Sequence, residues 1–126
     1  MMDQPSATEI LTAVREFIEK HAMPELTGRT AFHARVAANA IAIIVRELDQ
    51  GDRANVEAQL RLEQLLQRKG SLLELNRELC RRLRTNELAI DDAGLSQHLT
   101  LTTLAKVAID QPNYSGLLHS PHRRTD

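Results

Sequence analysis

Apolar residues recur along most of the chain at intervals of three and four, the spacing that puts side chains on one side of an α-helix. Ile10, Val14, Phe17, Ile18 and His21 form the first such run. Ahead of it, Ser6 and Glu9 have the spacing of a capping box, in which each side chain satisfies the other residue's amide. Pro24 removes a donor and restricts the residue before it, so this helix is predicted to stop near Ala22. Thr27-Gly28-Arg29-Thr30 reads as a turn, with Thr27 or Thr30 capping a second helix.

The longest run is Phe32 to Leu48, FHARVAANAIAIIVREL. Phe32, Val36, Ala40, Ile43 and Ile44 make its apolar stripe. Ala34, Ala37, Ala38 and Ala42 are small enough to let another helix approach closely. Ile41 to Val45 is apolar nearly all round, the pattern of a central helix with few solvent-facing positions. Gly51 is expected to end it. A third helix is predicted over about Asp52 to Arg68, with Val56, Leu60, Leu62, Leu65 and Leu66 inward. After Gly70 comes a second capping box, Ser71 with Glu74, and then a narrow stripe of Leu72, Leu75, Leu79 and Leu83. Leu88-Ala89-Ile90 leads to Asp91 or Asp92, either able to cap a last helix ending near Asp110. His98 to Thr103 alternates as a strand would. Leu101, Leu104, Ala105 and Ala108 nevertheless continue at helical spacing, and an isolated strand would have no partner. Every glycine and proline falls outside these runs or at their ends, which is where both residues cost least.

The expectation is an all-α, single-domain bundle of about five helices with a central apolar helix near 30–50. The domain is read as 4–117, followed by a mobile polar tail over 118–126. Composition supports this reading. With only Phe17, Phe32 and Tyr114 as aromatics, a core must be built from Leu, Ala, Ile and Val. A length of 126 residues allows one domain and a core that needs no metal or disulfide. The net charge of −1 supplies no global field toward nucleic acid or an anionic membrane. Cys80 is the sole cysteine, so neither an intramolecular disulfide nor a cysteine zinc cage can form. The polar N-terminus is unlike a signal peptide, and no run nears the ~18 apolar residues of a membrane helix. A cytoplasmic protein is expected.

Enzyme signatures are missing: there is no phosphate loop, no GxGxxG, no GxSxG and no HExxH. The histidines lack metal-ligand spacing, so no metal and no cofactor are expected. The row Arg77, Arg81, Arg84, with Arg82, has Glu74 and Glu78 within helical reach and no interleaved aromatic. It reads as a solvated face rather than a nucleic-acid surface. The central helix is more informative. Arg35 and Arg46 are close to three full turns apart and Asn39 is one turn from Arg35, so all three share a side. Such groups on so apolar a helix must reach solvent, pair, or meet a ligand. One reading is a structural network in which Arg46 and Asn39 satisfy loop carbonyls or pair with Asp110. The other is a pocket or partner surface, since guanidinium groups suit phosphate and carboxylate.

TGRTAFHARVAANAIAIIVREL (27–48) and DQPNYSGL (110–117) resemble a family of small all-helical bacterial proteins of unknown function, and QPSATEILTAVREFI also fits. The resemblance runs from Gln4 to Leu117. Members look like neighbours, in bacterial gene clusters, of aminoglycoside-phosphotransferase-like kinases and acyl-CoA dehydrogenases. The resemblance therefore implies a non-catalytic accessory protein supporting such a kinase in acyl-CoA or hydroxyacyl-CoA breakdown. The motif positions are Phe32, His33, Arg35, Asn39, Arg46, Asp110, Tyr114 and Gly116. Of these, His33, Arg35, Asn39, Arg46, Asp110 and Tyr114 are carried over as ligand or partner contacts, with no catalytic residue among them. The alternatives are a helical domain binding acyl-CoA or another anionic ligand, and an enzyme with His33 in a cleft. A homo-oligomer, most simply a dimer, is also expected.

Overall fold

The computed structural model describes residues 3–119. Among these there is no strand, in accord with the all-α expectation. Five α-helices run in order along the chain: α1 (Ala7–Phe17), α2 (Gly28–Leu66), α3 (Leu72–Arg84), α4 (Ala93–Asp110) and the single turn α5 (Ser115–Leu118). Most of the polar tail, residues 120–126, lies outside the described residues. Contacts divide the chain into two compact units, Met1–Gly51 and Asp52–Asp126.

In the N-terminal unit the predicted capping box starts α1. Ser6 Oγ accepts from the Glu9 amide at 3.2 Å, and Glu9 Oε2 accepts from the Ser6 amide at 2.7 Å. Hydrogen bonding from the Ser6 backbone amide, then from the Ser6 side chain, holds the Glu9 carboxyl below its usual pKa. The helix does not end cleanly at Ala22. It widens into a π-helical stretch, Ile18–Ala22, in which the Met23 amide donates to the Ile18 carbonyl five residues back. A 3-10 turn, Met23–Glu25, comes next with Pro24 inside it. Pro24 has no amide to continue the ladder, so the chain leaves the helix through irregular turns. Gly28, at φ +59, then opens α2 in a conformation that costs other residues more.

The largest departure from expectation is Gly51. α2 runs unbroken for 39 residues, so the predicted second and third helices are one. A glycine ends a helix by turning left-handed at the position just past it. Among the described residues, the positive-φ glycine is Gly28, not Gly51. The ending falls to Gln67, at φ +51, where the Arg68 amide donates to the Glu63 carbonyl at 3.3 Å. This is the six-to-one bond of a Schellman turn built without glycine. Asn86, at φ +57, ends α3 in the same way, with the Glu87 amide on the Arg82 carbonyl at 2.9 Å.

The C-terminal unit holds a leucine core. Leu62 and Leu66 from α2, Leu75 and Leu79 from α3, and Leu95 from α4 form one buried cluster, flanked by Leu65, Leu72, Leu83 and Leu88. The α3 stripe thus does what its spacing predicts. Both N-caps hold as well: Ser71 with Glu74 completes a capping box, and Asp92 rather than Asp91 accepts from the Leu95 amide at 2.9 Å. Gln59 Nε2 donates to the Gly70 carbonyl at 3.0 Å, tying the α2–α3 loop back to its helix.

Candidate functional site

The polar line on α2 survives as a geometric fact, because one continuous helix carries all three residues. Arg35 and Asn39 are exposed and Arg46 is half-buried. Eleven residues at 1.5 Å each put Arg35 and Arg46 about 16 Å apart along the axis. That is too far for both guanidinium groups to grip one phosphate or carboxylate. Any shared ligand would have to be elongated and lie along the helix.

His33 is exposed and sits one turn from Arg29, whose Nε lies 3.3 Å from His33 Nε2. The Phe32 ring meets the imidazole edge-on at 5.6 Å. A histidine whose observed partner is a cation is poorly placed to act as a base. Asp110 closes α4 and is exposed. Tyr114 precedes α5 and is 54% exposed. A Cβ on Gly116 would lie 2.5 Å from the Tyr114 ring. The glycine is therefore what lets the ring lie against this turn, which gives the DQPNYSGL motif a structural reason.

The Arg77–Arg84 row resolves into ion pairs at Arg81 and Arg82. Glu78 receives Arg82 Nε at 2.7 Å and Arg81 at 2.8 Å, with Arg68 at 3.7 Å. Arg81 also reaches Glu87. Hydrogen bonds from Arg81, then Arg82, pull the Glu78 pKa down to about 2. The Glu78 side chain is only 12% exposed while Arg81 and Arg68 are about half exposed, so solvent screens the arginine side of the network and limits its contribution to stability.

Among the described residues, no three His, Cys, Asp or Glu side chains are grouped so as to hold a metal. No helix there is long and apolar enough to cross a membrane. Cys80 is an exposed free thiol.

One residue with unusual surroundings was not among the expected ones. His98 is the buried polar residue of α4, and its Nδ1 has no hydrogen-bond partner. Burial, and secondarily the charge of Arg61, lower its pKa from the ordinary 6.5. Arg61 itself donates to Thr102 Oγ1 at 3.3 Å. The signal was present in the sequence, since Leu95, His98, Thr102, Ala105 and Ile109 step by three and four along one face of α4. That face, rather than the one through Leu101, Leu104 and Ala108, includes the buried Leu95, His98 and Ile109.

A depressed histidine pKa has a definite sign. Above about 6.5 both folded and unfolded chains carry neutral His98, and stability is unaffected. As pH falls below 6.5 the unfolded chain takes up a proton first, so stability drops until the folded pKa is passed. Chemical denaturation between pH 7.5 and pH 5 should show this loss, and His98→Leu should flatten it. The lowered carboxylates Glu9, Glu63, Glu74, Glu78 and Glu87 act only below about pH 4.5, so the two windows separate. A slope through pH 6 that persists in the leucine variant would exclude His98 as its source.

No curated protein and no solved structure matches the chain. The family model of a domain of unknown function, DUF6285, matches residues 24–114, from the turn before α2 to Tyr114, and the chain belongs to that family.

Proposed function

We propose that this chain is a non-catalytic accessory protein that docks, through an apolar helix face of its N-terminal unit, on a larger protein partner. The partner class implied by the family resemblance is a phosphotransferase-like kinase acting in acyl-CoA or hydroxyacyl-CoA breakdown.

One observation carries the docking role. Ile10, Val14 and Phe17 fall at i, i+4 and i+7 on α1, and all three are exposed. His21 extends the stripe and stacks on Phe17 at 6.2 Å between ring centroids. The half-buried positions Thr8, Leu11, Arg15 and Ile18 occupy a different side of the same helix. α1 is therefore apolar beyond the side that its own unit covers. A groove-binding helix presents this spacing of anchors to its receptor.

The test is co-expression with a phosphotransferase-like kinase from the same organism, followed by size exclusion. A stable complex that Phe17→Glu abolishes is the expected result. Wild-type chain and kinase eluting separately at micromolar concentration would refute the kinase assignment. A complex that tolerates Phe17→Glu would refute the α1 face.

A further inference from the structure

The first half of α2 carries a second exposed apolar face, and its layout selects an occupant. Phe32, Val36, Ile44 and Leu48 are 61%, 50%, 48% and 50% exposed. With Ala40 they form one unbroken row at i+4 spacing. The opposite side of the helix is already used, since Ala38 and Ala42 are buried. Ala40 stands two residues from each of them, and a two-residue step turns an α-helix by about 200°. The row therefore points away from the buried side. This corrects the expectation of a central helix with few solvent-facing positions: of the stripe Phe32, Val36, Ala40, Ile43 and Ile44, all but the half-buried Ile43 are exposed.

The row is symmetric about Ala40. Val36 and Ile44 lie four residues to either side, Phe32 and Leu48 eight. The charges are antisymmetric about the same point. Arg29 and His33 precede it on this face and Glu47 comes after it, His33 and Glu47 each seven residues from Ala40. Asp49 is half a turn round, where it accepts from Thr8 Oγ1 of α1, and Arg35 lies with Arg46 off the row. Arg46 is two residues from both Ile44 and Leu48, so it projects from the other side of the helix. A row symmetric in size and antisymmetric in charge is complementary to itself when turned end for end.

We propose that this face binds a second copy of the chain, two α2 helices crossing antiparallel with Ala40 at the two-fold axis. Rows at i+4 interdigitate in the commonest class of helix crossing, and a small residue at the crossing point lets the helices approach. Val36 then meets Ile44 of the other copy, Phe32 meets Leu48, and the Arg29–His33 end meets Glu47. A parallel pairing would set like charges together. The four large side chains expose on the order of 400 Å² per copy. The pair removes about twice that, ~800 Å², from water, so a stable interface of ~1,200 Å² requires a further ~400 Å² from the flanking polar surface. This goes beyond the accessory role and uses a different helix from it.

Sedimentation velocity on the full chain tests the proposal. A dimer is expected, with Ala40→Arg weakening it at least about a hundredfold because a guanidinium would be forced into the apolar crossing. Ala40 is exposed and arginine favours helix, so circular dichroism should be unchanged. In a Cys80→Ser background, Ala40→Cys should oxidise readily to a covalent dimer, and Leu48→Cys should not. A chain monomeric at about 100 µM, where a micromolar dimer is nearly fully formed, would overturn the proposal. So would a dimer indifferent to Ala40→Arg, faster self-crosslinking at position 48 than at 40, or a partner other than this chain seated on the row.

Discussion

Leu75→Ala is expected to destabilise the C-terminal unit by about 3–5 kcal/mol, a large share of the ~5–15 kcal/mol that a domain ordinarily has. Leu75 is fully buried between Leu62 and Leu66 of α2, Leu79 of α3 and Leu95 of α4. Removing its isobutyl group loses the transfer free energy of burial and leaves a cavity. The neighbours are themselves branched and close-packed, so they can collapse into it only in part. No aromatic ring sits in this cluster to shift and fill the gap. Urea denaturation followed by circular dichroism gives the difference directly. Leu73→Ala is the internal control. It lies on the same helix, is 60% exposed, and should cost well under 1 kcal/mol. If the two substitutions cost the same, the leucine cluster is not the core.

The leucine core was legible in the sequence because several local signals agreed there. The Ser71–Glu74 box fixed where α3 starts, and Leu72, Leu75, Leu79 and Leu83 then gave only one possible inward face. α4 was legible in extent, since Asp92 and Pro112 bracket it, but less so in phase. Leucines and alanines occur around most of its circumference, so the buried face through Leu95 and His98 could not be chosen by hydrophobicity alone. The N-terminal unit was least legible. Periodicity shows which positions are apolar and not which are covered. In that unit's part of α2 the buried apolar positions are the small Ala38 and Ala42, while the larger Phe32, Val36, Ile44 and Leu48 face outward. Reading size as burial inverted the helix. Of the candidate contacts, the alignment of Arg35, Asn39 and Arg46 followed from helix geometry. Their separation along the axis follows from the same geometry, and it argues against a single-anion site.

Gly51 is where that continuity can be tested, and Gly51→Pro is expected to cost about 3 kcal/mol or more. Proline would remove the amide that donates to the carbonyl of residue 47. Its ring would press on that same carbonyl, and Gln50 would be driven out of helical geometry. At a helix end, by contrast, proline near the C′ position is readily accepted. The size of the effect therefore distinguishes a helix that passes through residue 51 from one that stops there. Gly51→Ala should move the other way and stabilise by about 0.5–1 kcal/mol, the usual gain at a helix interior. A Cβ at this position would meet only the Glu47 side chain, at 2.7 Å from Oε1, and that flexible end can swing aside. Were residue 51 a left-handed terminus, alanine would be strained there and the sign would reverse. Paired thermal melts of the two variants thus give opposite signs for a continuous α2. For a broken helix, a near-neutral proline and a destabilising alanine would be found instead.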